Sequence, residues 1–272
     1  MTLDAAATIA ARAALIEGLE ALGAHRDSVI LVGAQAIYLH TSHIKLPVAP
    51  FTSDADLVFN TDFLEPYPAI DQAMRQAGFI PNPQEDAVGS WINRAGVPID
   101  LMVSTSQGGG GRRAARLPDH GAHSIRQTPG LEAVRFDNSK FKISSISTAD
   151  ASLEVSVAGP ASLLIAKLIK FGERLNGPRF VQKDAYDIYR ILFSSETEHL
   201  SAKWKEFSEI ETVYRELEMA INFLENLFAN SSDSDGCIAA GMAEDIVGDP
   251  SLVRNRVWAL SRELLDEIEK SN

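Results

Sequence analysis

The spacing of apolar positions changes about halfway along the chain. In the first half, short apolar runs alternate with turns. Leu15, Leu19 and Leu22 recur at helical spacing in an alanine-rich stretch, which predicts a helix over 3–22 stopped by Gly23. Residues 29–32 read as a short buried strand. Gly33 then turns the chain into a helix over 34–40 with Ala36, Ile37 and Leu39 inward, and 41–51, with two prolines, reads as loop. A second strand follows over 54–59, then a helix over 69–77 ended by Gly78. Strands over 91–93 and 97–103 make a hairpin about Ala95-Gly96, and strand-like pieces continue to about Val157.

From Gly159-Pro160 the period is helical almost to the end. Proline suits the first helical position, and Leu163, Leu164, Leu168, Ile169 and Phe171 form the apolar stripe of the helix it opens. Further helices are predicted over 183–193, 211–228 and 251–269, with a loop over 231–236. The fold class is therefore α+β, with a mixed domain over 1–157 and an all-helical domain over 158–272.

Candidate chemistry sits where these elements begin and end. Asp54 and Asp56 are two apart on a strand and so project from the same face. Adjacent carboxylates repel, and a cation between them relieves this. A solvated strand edge is the plain alternative for such a pair. The glycine turn at Gly33 opens a helix and presents backbone N–H groups suited to phosphate. Asp100 lies in the strand over 97–103. If the two strands are neighbours, three carboxylates converge, two to hold Mg²⁺ and the third as a further ligand or base for an attacking hydroxyl. In the helical half, Lys167, Lys170 and Arg174 line one helix face, and Asp184 and Asp187 are one turn apart after Lys183. They either reach over a nucleotide, with lysine as a point charge on phosphate, or pair with one another on the helix surfaces.

Composition narrows the setting. Of 272 residues, 45% are hydrophobic and 23% charged, which is ordinary for a globular protein with a proper core. No apolar run approaches a membrane span, the start lacks the pattern of a secretory signal, and the single cysteine, Cys237, has no internal disulfide partner. These features predict a cytoplasmic protein without membrane contact. The net charge of −12 argues against broad nucleic-acid binding. Between 107 and 142, however, seven basic residues (Arg112, Arg113, Arg116, Arg126, Arg135, Lys140, Lys142) outnumber three acids. Such a patch beside an acidic metal site suits a polyanionic substrate. Gly108 to Gly111 predict a mobile loop carrying Arg112 and Arg113.

In order along the chain stand Gly33-Ala34-Gln35-Ala36-Ile37, Thr52-x-Asp54-x-Asp56, strand-borne Asp100, Ala166-Lys167-Leu168 with Arg174 beyond, and Lys183-Asp184-x-x-Asp187. This series resembles the AbiEii/MenT-type nucleotidyltransferases, toxins of toxin–antitoxin and abortive-infection systems within the DNA polymerase β-like superfamily. The resemblance covers 29–192. It implies a polymerase β-like domain with a mixed sheet, followed by the helical domain, with the active site in the cleft between the halves. It also implies that Asp54 and Asp56 bind Mg²⁺, that Lys167 contacts the triphosphate, and that Asp184 or Asp187 supports catalysis. The reaction implied moves a nucleoside monophosphate from an NTP to a hydroxyl such as a tRNA 3′ end. Arg112, Arg113 and Arg116 would guide the RNA, and a cognate antitoxin would be the protein partner.

The chain departs from the family at the first turn. Ala34 and Gln35 replace a small residue and a hydroxyl, and Pro50 and Phe51 stand where an arginine is usual. Gly33, Ala34, Gln35 and Ser53, with Lys167, are the candidate nucleotide contacts. Two other readings follow from these departures and from the acidic surface: a family member that binds without turnover, and an enzyme that modifies an aminoglycoside-like hydroxyl. His120-x-x-His123 lacks a third metal ligand in sequence, and Asp233-x-Asp235-Gly236 lacks the rest of a calcium loop.

Overall fold

A computed structural model describes residues 3–84, 87–110, 113–146, 152–175, 177–178 and 182–271. The chain divides into two compact units, 1–36 with 50–158, and 37–49 with 159–272. The protein is α+β, with a mixed open sheet and a helical C-terminal region.

The first unit is built on the sheet. Helix α1 (Leu3–Ala21) places Leu15 and Leu19 in the core, and Leu22 just beyond it is buried too. Strand β1 (Val29–Val32) is buried at every position, as its unbroken apolar run requires. It leads through Gly33 into helix α2 (Gly33–His40). Strand β2 (Ala55–Phe59) pairs antiparallel with β1, placing Val32 opposite Asp56. Helix α3 (Ile70–Gln76) precedes the short strand β3 (Ile80–Pro81), and β4 (Ser90–Ile92) and β5 (Pro98–Ser104) form the expected hairpin. The turn is fixed by Asn93, whose Oδ1 accepts from the N–H groups of Ala95 and Val97. The sheet is completed by β6 (Arg126–Thr128), β7 (Asn138–Ser144) and β8 (Ser152–Ala158). Its order is β3-β4-β5-β2-β1-β8-β7, with β6 also on β5. One edge of β5 is shared, antiparallel to β4 in its first half and parallel to β6 in its second.

The helical unit holds α4 (Pro160–Arg174), α5 (Gln182–Ser194), α6 (Thr197–Ser208), α7 (Glu211–Leu224), α8 (Asp235–Met242) and α9 (Pro250–Ser271). The apolar stripe of α4 is buried throughout. Two helices are absent from the sequence reading: α6, whose apolar positions are interrupted by charged residues, and α8, eight mostly small residues that begin inside the loop expected over 231–236. The segment read as one helix over 211–228 ends α-helical geometry at Leu224 and continues as a single wider turn, Glu225–Ala229. Cys237 is buried; its thiol donates to the Phe228 carbonyl, and burial pushes its pKa up to about 12. Among the described residues no helix is long and apolar enough to cross a membrane.

Candidate active site

The sheet brings Asp56 and Asp100 side by side. Strands β2 and β5 run parallel in a register that pairs the two residues directly, so their side chains leave the same face. Asp54 lies one residue before β2, half-buried. Gly33 closes the arrangement from β1. Its φ is +69°, and a Cβ there would stand 2.1 Å from Oδ2 of Asp56. Glycine is needed at this position on two counts, a left-handed backbone and a carboxylate against its Cα.

Asp54 is braced through its neighbours. The Thr52 hydroxyl donates to Oδ1 of Asp54 at 2.7 Å, and Thr52 N donates to the Thr8 hydroxyl of α1. Gln35, buried on α2, spends its whole carboxamide locally. Its Nε2 donates to the carbonyls of Asp54 (3.0 Å) and Ala11 (3.1 Å), and its Oε1 accepts from Nε of Arg12 (2.8 Å). The amide that sequence reading offered to phosphate is therefore a strut for the Asp54 backbone. Ala34 is buried as well, and Ser53 is exposed beside Asp54.

Asp100 is not left to a metal alone. Nη2 of Arg126 pairs with its Oδ2 at 2.8 Å. Among the described residues no three His, Cys, Asp or Glu side chains are grouped as a metal ligand set. The donor chemistry of Asp54 and Asp56 nevertheless suits Mg²⁺. That ion takes hard oxygen ligands, and it is usually held by one or two carboxylates with the remaining positions filled by phosphate and water.

The helical unit holds the second group of candidates. Lys167 of α4 is buried, and its ammonium donates to Oδ1 of Asp184 at 2.8 Å and Oδ2 of Asp187 at 2.7 Å. Lys170 and Arg174 approach Asp184 from the same helix, and Lys183 reaches Asp187. Burial by itself would raise the Asp184 pKa, but Lys167, Lys170 and Arg174 outweigh it and hold the carboxyl well below the ordinary range. Asp187 is lowered likewise, against burial, by Lys167 and Lys183. Burial would lower Lys167, yet the two aspartates raise it well above the usual lysine value. The ion-pairing alternative describes this cluster, in the interior and not on the surface. Lys167 has committed its charge to two carboxylates.

The basic stretch is diluted by partners from elsewhere in the chain. Arg126 pairs with Asp100, Arg135 with Asp62 and Lys140 with Asp27. Arg113 and Arg116 are exposed; Arg112 lies outside the described residues. Of the glycines expected to form a mobile loop, Gly108 and Gly109 bring two segments together, and Gly111 lies outside the described residues. Arg116 N donates to the Gly108 carbonyl, and a Cβ on Gly109 would lie 2.4 Å from the Arg116 carbonyl oxygen. His120 is buried with its Nδ1 accepting from Ile70 N, and its ring stands edge-on to His25. Burial and the neighbouring His25 lower its pKa. Asp233 contacts Arg254.

Sequence reasoning missed Arg12, and it placed Arg126 in the basic stretch without its pairing to Asp100. The signal for Arg12 is modest, a lone cation on an otherwise acidic and apolar helix. Arg126 lies on a three-residue strand whose place beside β5 no local pattern reveals. Comparison with family models, with curated proteins and with solved structures returned no match.

Proposed function

We propose that this chain is a Mg²⁺-dependent nucleotidyltransferase of the polymerase β-like kind. It moves a nucleoside monophosphate from an NTP to a hydroxyl such as a tRNA 3′ end, as the toxin of a pair with a cognate antitoxin. One observation carries the reading: the Asp56 carboxylate, with Asp54 two residues before it, stands against the glycine turn that ends β1 and opens a helix. That juxtaposition sets metal ligands beside backbone N–H groups suited to phosphate.

Asp54 and Asp56 would hold the metal, which would neutralise charge building on the phosphates. The first turn of α2 donates N–H groups to phosphate oxygens. The acceptor hydroxyl oxygen forms a bond to the α-phosphorus, pyrophosphate leaves, and the hydroxyl proton passes to a nearby base. Asp100, oriented by Arg126 beside Asp56, is the candidate for that role. A second reading, nucleotide binding without turnover, is favoured by the engagement of Asp100 with Arg126 and of Gln35 with the backbone.

Incubation with each labelled NTP, Mg²⁺ and either total tRNA or an aminoglycoside separates these readings. Label on RNA, lost in Asp56→Ala by a factor on the order of 10²–10³, is the expected result. Label only on the aminoglycoside moves the acceptor class. Saturable NTP binding with no transfer to any acceptor selects the binding reading, and neither binding nor transfer overturns both.

A further inference from the structure

Arg12 is a half-buried cation in an unusual position. It is the only basic residue of α1, and its Nε is fixed on Gln35. Two more deeply buried cations, Lys167 and Arg190, each meet groups of the chain. Lys167 has two aspartates, and Arg190 donates to the Val48 carbonyl and rests against the rings of Tyr38 and Tyr186. Among the described residues no carboxylate lies within ion-pair distance of the Arg12 guanidinium, and no aromatic ring receives it. Burial lowers its pKa, the direction expected of a cation with no facing carboxylate.

The same carboxamide that holds Arg12 also holds the carbonyl of Asp54. A single amide group therefore separates the guanidinium from the residue proposed to carry metal. Nε is occupied, so the two terminal nitrogens are the groups left to meet an incoming ligand. Their planar fork matches the oxygens of a phosphate, and a partly desolvated site strengthens that contact.

We infer that Arg12 anchors a phosphate subsite: its terminal nitrogens take oxygens of the bound triphosphate while Gln35 holds Nε. The inference rests on the nucleotidyltransferase reading. It also gives the long Gln35 side chain a purpose, as the positioning residue that ties an α1 arginine to the metal-bearing strand.

The test is calorimetric titration of the full chain with inorganic triphosphate and with each NTP, in the presence of Mg²⁺. Wild-type protein binds, and Arg12→Gln weakens triphosphate binding by about tenfold or more, the scale of a lost charged hydrogen bond, with an unchanged melting temperature. Binding equal to wild type in Arg12→Gln overturns the subsite and leaves the nucleotidyltransferase reading standing. No binding of any NTP or of triphosphate by the wild type overturns both. Should Arg12→Gln fail to fold, Arg12→Lys decides, because it keeps a charge and a donor for Gln35 but loses the fork. Weakened binding supports the subsite, and wild-type affinity overturns it.

Discussion

Asp54-x-Asp56 at the head of β2 and Asp184-x-x-Asp187 on α5 are the same chemistry in two settings. Each is a pair of carboxylates close in sequence, two residues apart where β2 begins and one turn apart on α5. Asp184 and Asp187 are buried and ringed by Lys167, Lys170, Arg174 and Lys183, all supplied by the chain. Asp54 is half-buried, its carboxylate receives a threonine hydroxyl, and no lysine or arginine of the described residues lies within ion-pair distance of it. A buried acidic pair needs its counter-charges present at folding, whereas a half-buried carboxylate such as Asp54 can take a cation from solution. The first arrangement holds a fold together, and the second is the one proposed to meet a ligand.

The sharpest way to break this comparison is to remove a counter-charge. Lys167→Met leaves two buried carboxylates facing each other and is expected to cost about 3–5 kcal/mol in the helical unit. Urea unfolding followed by tryptophan fluorescence in a Trp91→Phe background reads that unit, since the two remaining tryptophans, Trp204 and Trp258, both lie in it. Asp56→Asn, by contrast, should change stability by less than about 1 kcal/mol while abolishing Mg²⁺ binding. If the two substitutions prove equally destabilising, the distinction fails.

Gly33→Ala comes next. The left-handed backbone alone costs an alanine about 1–2 kcal/mol, and its Cβ would displace the Asp56 carboxylate. We expect a modest loss of stability together with a clear loss of Mg²⁺ affinity by titration; unchanged affinity would detach the turn from the metal site.

Acid titration sharpens the same contrast. Asp184 and Asp187 have lowered folded pKa values, so their stabilisation is present above the unfolded carboxylate value of about 3.9 and is lost as pH falls through the folded values. Lys167, raised in the folded state, contributes fully below the unfolded lysine value of about 10.4, and that contribution is lost only at still higher pH. The helical unit should therefore hold its stability across neutral pH and lose it only below about pH 4, by circular dichroism of the melting transition. Loss beginning near pH 6 would contradict the cluster as drawn.

The smallest effect expected is that of Arg126→Met. The pair with Asp100 is partly solvated, and its removal should cost less than about 1 kcal/mol. Its value lies in the metal titration. Tighter Mg²⁺ binding would show that Asp100 joins the site once released, and unchanged binding would confine Asp100 to its salt bridge.

Local patterns made much of the fold legible. The stripe of α4, its Gly159-Pro160 start, and the turn at Asn93 to Gly96 are short-range devices whose causes lie within a few residues. What escaped was set by distant partners. Strands β3 and β6 are two and three residues long and exist only because β4 and β5 offer them an edge. Helix α6 mixes charged and apolar positions, and α8 is a short run of mostly small residues, so neither carries a strong apolar stripe of its own. Counting along the chain could not show that Arg126, Arg135 and Lys140 of the basic stretch meet Asp100, Asp62 and Asp27 from outside the window.

The sequence by itself determined that Asp54 and Asp56 stand two apart where a strand begins, that a glycine turn precedes them, and that Lys167 stands in line with other cations on one helix. These follow from local spacing, which no distant contact alters. Only the tertiary structure decided that Asp56 abuts Gly33 and lies in register with Asp100, that Gln35 turns inward to Arg12 and Asp54, and that Lys167 is spent on two buried aspartates. Those outcomes depend on which strands and helices become neighbours, and the need to satisfy every buried charge and hydrogen bond then selects the partners.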